Sequence, residues 1–328
     1  MISIGILSFR APTTLENTLA SYKKAGLFEE SNDIFAVLQK SELQAEEKKV
    51  CDIYGIKAIC LSENGRMGSG FKAIYENACN EYILFLENDF VIDTLQETKQ
   101  FFSNALFFLK SVGVDIVRGR SRKYPGEPTF SEDVLKNAHR SNKFWTTHLS
   151  ECIHFIEKPD LEFPDKISKI KPKTGEDDWY IFSSKHCNYT NNPIICSKKF
   201  FREAILPYCE FGENIEDKLT PIWATKNYKC VMGPGLFTHY RIDGHREIKN
   251  FVSLENKRYT WREHSIVFLA NGKMDAFGEG KYHYIDSNII NAYFGGASHK
   301  ITFSEGFTKF SSIRLNDGEN INGSIILQ

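Results

Sequence analysis

Glu81-Tyr82-Ile83-Leu84-Phe85-Leu86-Glu87-Asn88-Asp89-Phe90 joins an unbroken apolar run to an acidic cluster. Tyr82 to Leu86 has the length and composition of a strand buried on both faces of a parallel sheet. Glu87, Asn88 and Asp89 then fall where that strand leaves the sheet. In open α/β sheets, ligands gather outside the carboxyl ends of the strands. Unpaired charge is too costly to bury in a core, so two roles are left, solvated turn residues or ligands for a cation. Oxygen donors suit a hard divalent ion such as Mg²⁺ or Mn²⁺.

Upstream of this stretch, strands and helices alternate. Ile2 to Phe9 is a continuous apolar run ending in Ser8-Phe9-Arg10-Ala11-Pro12. Thr13-Thr14-Leu15-Glu16 has the form of a capping box, and Leu15, Leu19 and Tyr22 mark one helix face before Gly26. Ile34–Leu38 reads as a strand, 41–54 as a helix carrying Leu43, Val50, Ile53 and Tyr54, and Lys57–Leu61 as a third strand. The loop Asn64-Gly65-Arg66-Met67-Gly68-Ser69-Gly70 leads into a helix over Phe71–Cys79. This order predicts an α/β fold with a doubly wound, mostly parallel sheet flanked by helices.

Downstream, 94–112 reads as a long helix and Val114–Val117 as a strand. Arg118-Gly119-Arg120-Ser121-Arg122-Lys123 and Lys166–Lys173 read as solvated basic loops, and no elements are assigned between about 120 and 175. Asn192–Cys196 is a short strand with a helix starting at Ser197. Glu213-Asn214-Ile215-Glu216-Asp217 opens another helix. Tyr228–Met232 is a strand, and Gly233-Pro234-Gly235 a turn leading to Leu236–Arg241. After about 250, turn signals recur every 8–12 residues, which predicts a small β-rich C-terminal module. The boundary is placed at 251/252, just before or inside a helix-like Glu255–His264, with residues 1–118 and 119–251 as two halves of the first domain.

The 328 residues suffice for two domains. Lys+Arg 41 against Asp+Glu 42 leaves a net charge of −1, so no global attraction draws the chain to nucleic acid or anionic lipid. No apolar run approaches the ~20 residues that span a bilayer, and no signal peptide precedes Ile2. The eight cysteines form no C-x-x-C pair and are expected to be reduced thiols in a cytoplasmic protein.

In order and spacing, the motifs resemble the large inverting, nucleotide-sugar-dependent family of GT-A fold glycosyltransferases. Ile4–Pro12 is similar to that family's opening strand and nucleotide-contacting turn. Asn64–Gly68, with Ala73 and Asn77, is similar to its glycine-containing segment. Glu87-Asn88-Asp89 stands where the family has Asp-x-Asp, Glu216-Asp217 where it has an acidic pair near the acceptor, and His239 where a late histidine often completes the metal site. The likeness spans roughly residues 2–245. Glu87 departs from the pattern, and the Gln-x-x-Arg-Trp signature of processive synthases is absent.

The resemblance implies a metal-dependent transfer of one sugar from a nucleoside diphosphate sugar, UDP first, to a hydroxyl of a glycan or glycoconjugate. Mn²⁺ or Mg²⁺ would be held by Asp89 and His239. Ser8, Phe9, Arg10, Arg66, Glu87, Asn88 and Arg241 are the candidate donor-binding residues, with His245 a nearby alternative to His239. Asp217 is the candidate general base, with Glu216 as its alternative, because a helix start favours an ionised carboxylate. First-turn acids are equally ordinary caps. Trp145, Trp179, Trp223 and the aromatics of the β module read as core before they read as sugar platforms. A non-catalytic glycan-binding protein on a degenerate transferase domain is the competing reading. Oligomerisation is left open.

Overall fold

The computed structural model describes residues 1–92, 98–122, 126, 158–187, 189–213, 215–242, 254–269, 273–286, 288–314 and 317–326; at 217, 283–286, 291 and 305 it describes the backbone alone. The chain divides into two compact units, Met1–Tyr240 and Arg241–Gln328. The sequence places the boundary some ten residues later, within a stretch that is largely outside the described residues.

The first unit is built on a ten-stranded sheet in the order β3-β2-β1-β4-β9-β6-β10-β8-β7, with β5 added on β10. Its strands are β1 (Ile2–Ser8), β2 (Ile34–Leu38), β3 (Lys57–Cys60), β4 (Tyr82–Glu87), β5 (Phe90–Ile92), β6 (Ile116–Arg120), β7 (Ile167–Ile170), β8 (Trp179–Ser183), β9 (Ile194–Ser197) and β10 (Lys229–His239). The α/β class and the parallel N-terminal half agree with the sequence, since β3, β2, β1 and β4 all run parallel. Beyond β4 the sheet turns mixed. β9 is antiparallel to both β4 and β6, and β10 is parallel to β6 but antiparallel to β5 and β8.

Alternation along the central strands sends residues to two faces. Ile4, Ile6, Leu84 and Leu86 meet α1 (Pro12–Lys24), α2 (Gln44–Ile53) and α4 (Thr98–Phe107) through Leu15, Tyr22, Cys51 and Phe101. Leu7, Ile83 and Phe85 meet α3 (Arg66–Asn77), α5 (Lys198–Ala204) and α6 (Ile215–Trp223) through Phe71, Ile74, Phe201 and Leu219. Trp179 and Trp223 are core residues, as expected, and Trp145 lies outside the described residues.

Several local expectations change. The capping box at Thr13 is not used. α1 starts at Pro12, with Ala11 at the cap position and no side-chain cap, because proline's fixed φ suits a first helical residue. Ile53 points to solvent, 71% exposed, and Cys51 takes the buried position. Arg118 and Arg120 are buried members of β6 rather than loop residues, and Ile167–Ile170 forms edge strand β7. Gly233-Pro234-Gly235 lies inside β10, where pairing with β6 shifts register between Met232 and Phe237. Among the described residues no helix is long and apolar enough to cross a membrane.

The second unit is an antiparallel meander of eight strands in sequence order, β11 (Arg258–Trp261) to β18 (Asn320–Ser324). The helix-like segment 255–264 is in fact the β11–β12 hairpin. Gly295-Gly296 supplies the two-residue turn between paired Phe294 and Ala297, both glycines at positive φ, as a hairpin turn of the primed type requires. β18 returns beside β11. Tyr259 bridges Ile325, the Ile326 N–H donates to the Arg258 carbonyl at 2.8 Å, and the Ser324 N–H donates to Thr260 Oγ1 at 2.9 Å. The sheet thus closes on itself around Tyr259, Trp261, Phe268, Ile290, Ile301 and Phe303. Closure removes the open edges that a free sheet exposes.

Candidate functional site

The acidic turn after β4 is buried, against the expectation that its charges could not be. Asn88 and Asp89 are 3% and 1% exposed. Every neighbouring element holds the turn. The Asn88 N–H donates to the Leu7 carbonyl at 2.9 Å, and Thr18 Oγ1 of α1 donates to the Asn88 carbonyl at 2.6 Å. The Tyr22 hydroxyl donates to the Phe90 carbonyl at 2.6 Å, and the Tyr240 N–H to the Asp89 carbonyl at 2.6 Å. A buried backbone so completely satisfied is fixed before any ligand arrives.

Topology brings His239 to the same place. β6 runs in the direction of β4, because both are antiparallel to β9, and β10 is parallel to β6. The carboxyl end of β10 therefore emerges at the sheet edge where β4 delivers Asp89. There His239 pairs with Phe90 across β5. His239 Nε2 lies 3.2 Å from Asp89 Oδ2, with side chains 12% and 2% exposed. The imidazole rests edge-on against the Phe90 ring at 5.0 Å, and its Nδ1 is buried with no hydrogen-bond partner among the described residues. Burial, and then the charge of Asp89, push the Tyr22 phenol well above its ordinary pKa, so Tyr22 stays a neutral donor.

The pair fits a divalent cation as two adjacent ligands. Oxygen and nitrogen ligands bind such ions at about 2.0–2.2 Å, which puts neighbouring donors about 3 Å apart. Among the described residues no group of three His, Cys, Asp or Glu could share one ion. A site with two protein ligands would leave the remaining positions to other ligands such as water, a pattern common for Mg²⁺.

A second network anchors the turn after β1. Ser8 Oγ donates to Glu47 Oε1 at 2.5 Å and accepts from Asn88 Nδ2 at 2.9 Å, and the Ala11 N–H donates to the same Glu47 oxygen at 3.2 Å. Glu47 is fully buried and escaped the sequence reading. Its signal was there: it lies four residues after Leu43 and three before Val50, an acid on the apolar stripe of α2. Ser8 and Asn88 are thus joined directly, and Glu87, opposite Leu7 on β1, adjoins them.

Other sequence candidates have different surroundings. Arg10 takes a left-handed backbone, φ 53°, and its Nη2 lies 2.5 Å from Glu42 Oε1 with the guanidinium 5.9 Å from the Phe9 ring. Arg66 opens α3 at φ 56°, with an exposed side chain and a carbonyl that accepts from Gln39 Nε2 at 2.6 Å. Gly68 has a strict steric role, because a Cβ there would lie 2.3 Å from the Glu210 carbonyl oxygen. Arg241 is half-buried directly after Tyr240. His245 lies outside the described residues.

Of the acidic pair, Glu216 has described side-chain contacts. Ile194 of β9 pairs with Phe85, so the chain before it, Thr190–Pro193, enters the sheet at the edge where β4 leaves. The Asn191 N–H donates to Glu216 Oε1 at 2.7 Å, and Thr220 Oγ1 donates to the Tyr189 carbonyl at 3.3 Å. Glu216 therefore fastens α6 to that edge. Asp217 follows it on the helix, and its side chain lies outside the described residues. Arg120 completes the edge, with Nη1 3.2 Å from Asn192 Oδ1 and Nη2 3.3 Å from the Gly126 carbonyl.

No protein-family model matches the chain, and no curated protein matches it. Among solved structures, glucosyl-3-phosphoglycerate synthase from Mycobacterium tuberculosis in complex with phosphoglyceric acid is similar at 11% identity and TM-score 0.41, over 74% of this chain and 73% of that one. The same synthase with Mn²⁺ and uridine-diphosphate-glucose aligns at 10% identity and TM-score 0.38, over 74% and 72%. Staphylococcus aureus TarS 1–349 aligns at 11% identity and TM-score 0.46, over 73% and 60%. At such identities and TM-scores these likenesses assign neither a family nor a substrate to the chain.

Proposed function

We propose that the first unit is a GT-A glycosyltransferase that moves one sugar from a nucleoside diphosphate sugar to a hydroxyl of a glycan or glycoconjugate acceptor, with inversion. The observation that carries this reading is the pairing of Asp89 with His239 at the carboxyl edge of the sheet, on a turn fixed by three elements. Asp89 and His239 would hold Mn²⁺ or Mg²⁺. A bound divalent cation neutralises the charge of a departing diphosphate. Glu47, Ser8 and Asn88 keep the two turns that would face the nucleotide in fixed register. Arg10, Arg66 and Arg241 supply positive charge for its phosphates or base, and Phe9, 36% exposed, offers a ring for stacking. Asp217 takes the proton from the acceptor hydroxyl. Glu216, held by the Asn191 N–H, positions the helix that carries it.

The test is thermal unfolding of the full chain with UDP, GDP, CDP or dTDP, each with Mn²⁺ or with EDTA, for wild type and Asp89→Asn. A nucleotide at ~100 times its Kd adds about 2.7 kcal/mol of stability. The expected result is a Mn²⁺-dependent shift with one nucleotide, UDP first, that Asp89→Asn abolishes. No shift with any nucleotide in the presence of Mn²⁺ overturns the reading.

A further inference from the structure

The second unit carries a cavity of about 580 Å³ that belongs to none of the machinery above. Its place follows from the topology. In a closed meander, alternate turns share one end of the barrel. The lining comes from four such turns: β11–β12, β13–β14, β15–β16 and β17–β18. The cavity is therefore the mouth of the eight-stranded barrel, a common location for ligand sites, and its size falls in their usual range of about 300–1,000 Å³.

Rings form one wall. Phe294 stacks on His299 at 4.3 Å with the planes 11° apart, and Trp261 meets Phe294 edge-on at 5.0 Å. Phe277 extends the series outward, 6.4 Å from Phe294 and 26° from parallel. These rings are buried except Phe277, which is 54% exposed at a hairpin tip. Its backbone lies at φ 60°, and Arg262, in the turn beside it, lies at φ 55°. Such tips ordinarily take Gly, Asn or Asp. A bulky residue is rare in this conformation, and such outliers cluster at ligand sites. The inner face of the Phe277 ring rests on Phe294 and, edge-on at 5.1 Å, on His264, and the other face of the ring is open to solvent.

The rest of the rim is charged, without an excess of positive charge. Two arginines, Arg262 and Arg314, face two glutamates, Glu263 and Glu319. Arg314 is already committed. Its Nε donates to Asp317 Oδ1 at 2.9 Å, and its Nη2 lies 3.0 Å from Glu319 Oε2. Arg262 also pairs with Glu319. Burial holds His299 near pKa 4, so it is neutral at pH 7. The mouth thus offers no excess charge for an anion, and its charged rim does not suit a purely apolar guest. It offers an aromatic face together with planar donors and acceptors. A sugar ring has the matching halves, a C–H face and a belt of hydroxyls that both donate and accept.

We infer that the barrel mouth of the second unit binds a neutral saccharide, with Phe277 packing on the C–H face of a sugar ring and the Arg314–Glu319 rim hydrogen-bonding its hydroxyls. The inference does not rest on the transferase reading. It is tested with the full chain, in EDTA and without nucleotide, on an array of neutral, sulfated and sialylated oligosaccharides, followed by titration calorimetry of a retained glycan. Wild type, Phe277→Gly and Phe277→Asn are compared; both replacements tolerate the left-handed backbone. The expected result is retention of neutral glycans by wild type, weakened about tenfold or more in both variants, with melting temperatures equal to or above wild type. Retention of no glycan, retention of anionic glycans alone, or equal binding by well-folded variants overturns it.

Discussion

Asp89 Oδ2 and His239 Nε2 lie 3.2 Å apart although 150 residues separate them, so one contact ties the end of β4 to the end of β10. With Asp89 2% exposed at its side chain, this candidate metal pair is also part of the buried structure. His239→Ala removes the imidazole that Asp89 Oδ2 contacts, and losing the partner of a buried polar group costs about 1–3 kcal/mol. Asp89→Asn keeps the shape and an acceptor oxygen, so its loss in stability is smaller, while metal-dependent nucleotide binding disappears. Urea unfolding separates the two variants, and calorimetric titration with Mn²⁺ and nucleotide reads the second effect.

Glu47 is the residue whose removal reaches furthest. Glu47→Ala strands the Ser8 hydroxyl and the Ala11 N–H in a buried site, at about 1–3 kcal/mol for each unsatisfied group. Glu47→Gln retains an oxygen for both donors and loses less. If denaturant midpoints of the two variants coincide, the network does not hold the turn in the way described.

Asp217 and Glu216 separate by the quantity they change. Asp217→Asn lowers turnover about 10²–10⁴-fold, the usual contribution of a general base, and leaves nucleotide affinity intact. Glu216→Gln keeps the oxygen that accepts from the Asn191 N–H and retains most activity, whereas Glu216→Ala loosens α6 and lowers the melting temperature. Glycosyl transfer assays with nucleotide titrations in parallel give both readouts.

Gly68→Ala places a methyl 2.3 Å from a backbone oxygen. Backbone cannot rotate away as a side chain can, so α3 or the 209–213 segment must move. The expected cost is about 1–3 kcal/mol, the usual range for overpacking, with weaker nucleotide binding because the displaced helix starts at Arg66.

The second unit carries a pH signature. Burial holds the His299 imidazole near pKa 4, below its ordinary 6.5. Between those values the unfolded chain binds a proton that the folded unit refuses, so stability falls as pH drops from 6.5 to 4 and levels off below. The drop is at most about 3 kcal/mol. His299→Gln flattens the profile, measured as unfolding free energy against pH.

What the sequence made legible follows from how local each signal is. The strands β1 to β4 and the helices between them were readable because apolar runs and glycines lie within a few residues of one another. Asp89 stood out for the same reason, as an acid ending a buried strand. Its burial was not legible, since the partner that makes burial tolerable sits on β10. Arg118 and Arg120 looked like a solvated basic loop because strand membership there is decided by β9 and β10, far along the chain. Glu47 was legible in principle from its place on the stripe of α2. The closed barrel was legible only as recurrent turns, because nothing local marks β11 and β18 as neighbours.

That closure has a kinetic side. Each hairpin of the second unit pairs residues close in sequence, whereas joining β18 to β11 brings together Thr260 and Ser324, 64 residues apart. Loop-closure entropy places such a contact late in folding. Until it forms, Arg258–Trp261 and Asn320–Ser324 each keep one unpaired edge, complementary to the other, on the same chain or on another copy. The step that seals the barrel is therefore also the step at which two molecules synthesised side by side can exchange their last strands.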